Sequence, residues 1–176
     1  MSKYPDTLKR LREEIDPFFE RLGDQPITYE SLSELTFTEA VIREVFRLFT
    51  PAPYTARNST AEDIVENRVW PEGTQYIINI HGMNRSEKYW DEPDKFNPDR
   101  WLNGAKNERF NPHVVFGGGR RVCPGRKLSF IELKCMIPII YHKMDIEMVS
   151  DQQPTPSFVL IRRYKELNVR IKPRKA

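Results

Sequence analysis

The chain has 176 residues, with 28 Lys and Arg against 25 Asp and Glu, and 39% of its residues are apolar. A net charge of +3 spread along the sequence makes no case for an acidic partner such as nucleic acid. Two cysteines and no signal peptide exclude a disulfide framework and suit a reducing compartment, and no apolar run is long enough to span a membrane.

Taken in chain order, the pattern predicts a first helix from Pro5 to Asp16 with Leu8, Leu11 and Ile15 on one face, ended by Pro17. Thr36 followed by Glu39 is a capping-box pattern that opens a second helix running to about Phe49. Its apolar face is Ala40, Val41, Val45, Leu48 and Phe49, and Pro51 and Pro53 end it. Strands are expected between Tyr54 and Ile80, with a turn at Pro71, Glu72 and Gly73 and β-formers from Gln75 to Ile80. Proline and charge then dominate from Asn84 to Pro112, which predicts irregular chain with a short helix at most. A further helix follows Cys123, carrying Leu128, Ile131, Cys135 and Ile139 on one face with a kink at Pro138. Ser157 to Arg162 and Leu167 to Lys172 read as a terminal hairpin. The fold class is mainly α with small β-sheets (α+β).

The run F-G-G-G-R-R-V-C-P-G, Phe116 to Gly125, carries the chemistry. Pro124 suits a first helical position. That places Cys123 near an N-cap, where free N–H groups and the helix dipole favour a thiolate. Gly117, Gly118 and Gly119 let the backbone turn sharply and a flat ligand come close. Arg120 and Arg121 supply fork-shaped donors for carboxylates on such a ligand. Heme iron held by cysteine sulfur fits this set. Other readings fare worse. Cys123 and Cys135 stand about 18 Å apart if helix joins them, too far for a disulfide. Cys123, Cys135, His113 and His142 lack zinc spacing, and neither a phosphate-loop pattern nor C-x-x-C-H is present. A small buried side chain remains the ordinary alternative for a cysteine.

The pattern F-x-x-G-x-R-x-C-x-G resembles the heme-binding signature of the cytochrome P-450 family, filled by Phe116, Gly119, Arg121, Cys123 and Gly125. Two further segments resemble family marks in the same order. Glu44 to Arg47 (E-V-F-R) is similar to the E-x-x-R of its helix K, and Phe96 to Trp101 (F-N-P-D-R-W) to its P-E-R-F segment, with Asp for Glu and Trp for Phe. The resemblance implies heme b, with Cys123 as axial ligand and Arg121 and Arg57 on the propionates. It also implies Phe116 packed beneath the ring and Gly125 allowing the helix to approach. Glu44, Arg47 and Arg100 would form an ionic network that pins the irregular segment behind the heme loop. As a surface pair one helical turn apart, Glu44 and Arg47 would contribute little. His113 is a candidate neighbour of a propionate, whereas His81 and His142 read as solvated or structural.

By the same resemblance the chain is a single partial domain, residues 1–176, from helix J through the heme loop and helix L to the C-terminal hairpin. The N-terminal part and helix I, with its distal catalytic groups, fall outside it, so no catalytic residue is assigned. The implied activity is a monooxygenase inserting one oxygen atom of O2 into a lipophilic small molecule. Electrons would come from an NADPH-dependent flavoprotein reductase or an iron–sulfur protein docking on Arg120, Arg126, Lys127 and Lys134. Ala52 to Tyr54 and the tip of the C-terminal hairpin would lie near the substrate. A microsomal-type parent would sit on the cytosolic face of the endoplasmic reticulum, held by an N-terminal anchor. Two alternatives stand beside this: a non-catalytic remnant, and a heme-thiolate isomerase or dehydratase.

Overall fold

The computed structural model describes residues 1–102, 112–149, 156–158 and 161–174. The first helix, α1 (Pro5–Leu22), buries Leu11, Ile15 and Phe18 and runs through Pro17 rather than ending there. An internal proline costs a helix about 3 kcal/mol. Ending at Pro17 would withdraw Phe18, Phe19 and Leu22 from the core, and each large apolar side chain fully buried is worth about 1.5–3 kcal/mol. Packing outweighs the lost amide, and α1 stops only at Gly23, at φ +54°.

A one-turn helix, α2 (Tyr29–Leu32), holds the capping box of this region, made by Thr28 and Ser31. The next helix, α3 (Thr36–Phe49), has the expected bounds but not the expected cap. Thr36 is already helical, and Glu39 turns to Arg43 and Lys134 instead. The amino end of α3 is closed from outside by Glu14 of α1, whose carboxylate accepts the amides of Phe37 and Thr38 at 2.7 Å each and the Thr38 hydroxyl at 2.7 Å. Ala40, Val41 and Ile42 are buried, whereas Val45 is 41% exposed, so the core stripe of α3 is rotated from the one expected.

Strand β1 (Tyr54–Asn58) leads into a hairpin of β2 (Asp63–Val65) and β3 (Arg68–Trp70), and then β4 (Gln75–Asn79) pairs antiparallel with β1. The register sets Arg57 opposite Tyr76 and Thr55 opposite Ile78 on the more buried face. A short helix, α4 (Ile80–Asn84), follows directly, and residues 85–102 after it are irregular apart from a 3-10 turn at Pro98–Trp101.

The last helix, α5 (Arg126–Lys143), packs on α1, α2 and α3 through Ile131, Lys134, Cys135, Pro138 and Tyr141. Leu128 is 57% and Ile139 38% exposed, so only Ile131 and Cys135 of the expected face reach the core. The terminal hairpin is also rearranged. Strand β5 (Met144–Met148), unforeseen although Met-Asp-Ile-Glu-Met alternates strictly, pairs antiparallel with β8 (Val169–Pro173). Between them β6 (Pro156–Phe158) pairs with β7 (Arg162–Tyr164). Ser157, Phe158 and Arg162 therefore belong to one sheet and Val169–Lys172 to another. The architecture is a mixed one, helices with four two-stranded sheets among the described residues.

Candidate functional site

The glycine loop is fastened to α3 by aromatic rings. Phe116 stands edge-on to Phe46, with ring centroids 5.2 Å apart, and also touches Phe130 of α5 at 5.8 Å. Gly117 then turns at φ +75° and Gly119 at φ +61°, the left-handed region where a side chain is strained. A 3-10 turn over Gly119–Arg121 brings the chain back, and the Cys123 amide donates to the Phe116 carbonyl at 2.8 Å.

Between this loop and β1 lies a cleft of about 310 Å3. Phe46, Ile80, Val115 and Phe116 give it apolar walls, and Cys123, Arg121 and Arg57 share it. Cys123 is exposed and not in a disulfide. The Arg57 guanidinium is held by Thr55 Oγ1 at 2.9 Å and the Ala56 carbonyl at 2.7 Å, and its far nitrogen reaches over Gly117. A Cβ at Gly117 would lie 3.8 Å from that nitrogen, an ordinary contact, so glycine is required there by its backbone angle rather than by space. Tyr54 and Thr55 of β1 and Pro51 and Ala52 before it complete the lining.

Pro124 is not the first residue of α5. The Arg126 amide closes a turn on the Cys123 carbonyl at 3.3 Å, Gly125 is the N-cap, and the helix starts at Arg126. Cys123 thus stands two residues before the cap, on the turn rather than on the helix. Gly125 nonetheless faces the sulfur, since a Cβ there would lie 3.7 Å from Sγ. Gly119 and Gly125 shape the loop without lining the cleft.

Behind the loop, Glu44 and Arg47 are buried at 0% and 1% exposure, so theirs is not a surface pair. Arg47 grips Glu44 with two parallel bonds of 2.9 Å and donates also to the carbonyls of Asn84, Pro93 and Lys95. Arg100 reaches Glu44 at 3.1 Å, and the Asn97 amide and Trp101 indole reach it at 2.8 and 2.9 Å. Five donors therefore converge on one carboxylate, and every residue they come from except Arg47 belongs to the irregular segment. Asn97 and Trp101 escape a sequence reading because an amide and an indole in a loop carry no spacing signal.

On the other side of α5, Arg43, Arg126 and Lys127 border a second cleft of about 320 Å3. Lys134 is only 7% exposed and pairs with Glu39 at 3.0 Å, so it is withdrawn from the cationic surface expected of it. Burial pushes the Glu39 carboxyl up, but hydrogen bonds from Arg43 and Lys134 outweigh it and hold the group below its usual range. Arg120 is exposed. The side chain of His113 lies outside the described residues. His142 is structural: its Nδ1 lies 2.8 Å from Asp16, which Arg174 also binds at 2.7 and 2.8 Å.

The cytochrome P450 family model matches residues 1–169. The chain belongs to the cytochrome P450 family. It is 33% identical over 176 residues to cytochrome P450 4c3 of Drosophila melanogaster, covering 97% of this chain and 32% of that protein. It is 30% identical over 155 residues to sugiol synthase of Salvia miltiorrhiza, covering 86% of the chain and 31% of that enzyme. The chain thus spans about a third of the length of the curated relatives it matches. The structure of retinoic acid-bound cyanobacterial CYP120A1 is similar at a TM-score of 0.87 and 23% identity, over 98% of this chain and 40% of that one. The P450 fold of this segment is therefore present, as a partial one. Among the described residues no helix is long and apolar enough to cross a membrane.

Proposed function

We propose that this chain supplies the proximal heme site of a heme-thiolate monooxygenase, with Cys123 as the iron ligand. The observation that supports it is the convergence of one exposed thiol and two guanidiniums, Arg57 and Arg121, on one apolar-walled cleft. A flat macrocycle with two acid arms needs that combination: a soft ligand on one face, apolar walls, and fork donors at the edge. Gly117 gives the loop its left-handed turn at φ +75°, which a side chain would strain. The residues present fit heme b.

In this reading Cys123 offers its thiolate from a backbone position that its amide bond to the Phe116 carbonyl fixes. Phe46 and Phe116 exclude water from the sulfur side, and Arg57 and Arg121 bind and orient the propionates. Glu44, Arg47 and Arg100 hold the irregular segment against α3 and are positioning residues. Bound there, heme supplies the iron chemistry that activates dioxygen, and a thiolate ligand favours O–O cleavage. The full-length activity is insertion of one oxygen atom of O2 into a lipophilic small molecule. Its electrons come from a flavoprotein reductase or an iron–sulfur partner. Arg120, Arg126 and Lys127 form the cationic face for that partner.

The test is reconstitution with hemin, reduction, and addition of carbon monoxide. A thiolate-type Soret band that is lost in Cys123→Ser is expected. A band that matches imidazole-ligated or free heme and ignores the substitution overturns the assignment.

A further inference from the structure

Two basic residues outside the cleft lining are joined to its border through their backbone amides, and each keeps a side-chain nitrogen without a partner. Arg162 opens β7, and its backbone amide donates to the Pro51 carbonyl at 2.7 Å. His81 follows Ile80 in α4, and its amide donates to the Pro53 carbonyl at 3.1 Å. Pro51 and Ile80 both line the cleft. The Arg162 guanidinium lies over the Phe49 ring, 5.2 Å from its centre, and Tyr164 packs on the same ring at 4.9 Å. One terminal nitrogen of Arg162 and Nδ1 of His81 are buried with no hydrogen-bond partner among the described residues.

The neighbouring Arg85 differs. Its Nε is also without a partner, but its terminal nitrogens bind Asp94 and the Leu48 carbonyl, so its charge is already answered. No described carboxylate pairs with Arg162. Burial and then the charges of Arg162 and Arg85, against a smaller opposing effect of Asp94, lower the His81 pKa, so His81 stands neutral beside a guanidinium that no described carboxylate pairs. A guanidinium that lies on an aromatic face and keeps an unpartnered terminal nitrogen is suited to a carboxylate, to which it gives a charge-assisted hydrogen bond. The surroundings of that carboxylate are apolar: Phe49, Tyr164 and the proline turn before β1.

We propose that Arg162 and His81 form a carboxylate-binding subsite bordering the cleft, and that the class of molecule taken there is a lipophilic acid. That this molecule is a substrate rests on the monooxygenase reading; that the subsite binds carboxylate does not. Arg162 anchors the acid and His81 donates from Nδ1 or, when protonated, adds charge. The aliphatic body lies along Pro51, Ala52 and Ile80.

The experiment titrates octanoate into the chain while the imidazole C–H signal of His81, identified with His81→Gln, is followed by NMR. A saturable shift is expected, together with a rise in the pH at which His81 titrates, because the bound anion stabilises the imidazolium. Arg162→Gln should weaken the binding by about tenfold or more, the effect of one lost charge-assisted contact. Arg162→Lys keeps the charge and should lose less, which separates binding from any failure to fold. Octanol acting as well as octanoate, or octanoate indifferent to Arg162→Gln, overturns the proposal. A capped glutamate binding as tightly as octanoate would assign the subsite to a protein side chain and overturn the lipophilic-acid reading. The heme assignment is judged separately by the Soret band of Cys123→Ser, so either can fail alone.

Discussion

The indole N–H of Trp101 donates to Glu44 at 2.9 Å, across 57 positions of sequence. Trp101 stands where the family segment it resembles carries phenylalanine, so this protein adds a donor to a carboxylate that is already fully buried. A hydrogen bond to a charged group is worth about 1.5–3 kcal/mol. Trp101→Phe keeps an aromatic ring and removes the donor. It should lower stability in urea by a value in the lower part of that range. An unchanged midpoint would show that Arg47, Arg100 and Asn97 satisfy Glu44 alone.

Glu44→Ala should do far more. It strands the Arg47 guanidinium at 1% exposure, and breaking a buried pair in this way costs about 3–5 kcal/mol. Thermal melting together with hemin uptake is the readout, and both should fall. A melting temperature equal to that of the parent chain, with full heme occupancy, would exclude the network from any supporting role.

The cap on α3 makes a third prediction. Glu14 satisfies two amides of the first turn from another helix, so Glu14→Ala removes a cap and the α1–α3 contact together. Loss of a cap costs about 0.5–2 kcal/mol, and the second contact should carry this variant to the upper end. Glu39→Ala, by contrast, leaves the cap intact. Amide exchange at Phe37 and Thr38 decides the matter: it should quicken in Glu14→Ala and stay slow in Glu39→Ala.

Stability should also fall in acid through Asp16. Hydrogen bonds from Arg174 and, after a contrary effect of burial, from His142 hold its carboxyl below the usual value of 3.8. A carboxyl depressed in the folded state stabilises the protein fully above its unfolded pKa and loses that contribution as pH falls through the folded one. The window therefore lies below about pH 4. Asp16→Asn should flatten this part of the stability profile while lowering stability at neutral pH. A slope below pH 4 identical in both proteins would assign the acid sensitivity elsewhere.

The glycine loop, α3 and the E-x-x-R pair were readable because each rests on local spacing. What the sequence concealed was decided over distance. Pro17 reads as a stop until Phe18 is seen to be buried, and Thr36–Glu39 reads as a capping box until Glu14 arrives from α1. The stripe on α5 misleads because Lys134, a charged residue, takes an interior position by pairing with Glu39, while Leu128 and Ile139 are left outside. Phe46 was passed over because the core stripe of α3 was already filled, although an extra aromatic there had to face something. Strand β5 was legible in its alternation and was overlooked beside a helix end.

The ring of Phe116, wedged between Phe46 and Phe130, has a consequence for how the thiol keeps its place. Cys123 takes its position from the carbonyl of Phe116, so the sulfur is located by α3 and only secondarily by the helix that follows it. Trimming Phe46 or Phe130 to alanine would shift the thiol without touching the glycine run or the arginines. Lengthening the chain between Gly117 and Arg121, by comparison, would break the turn that returns Cys123 to the Phe116 carbonyl.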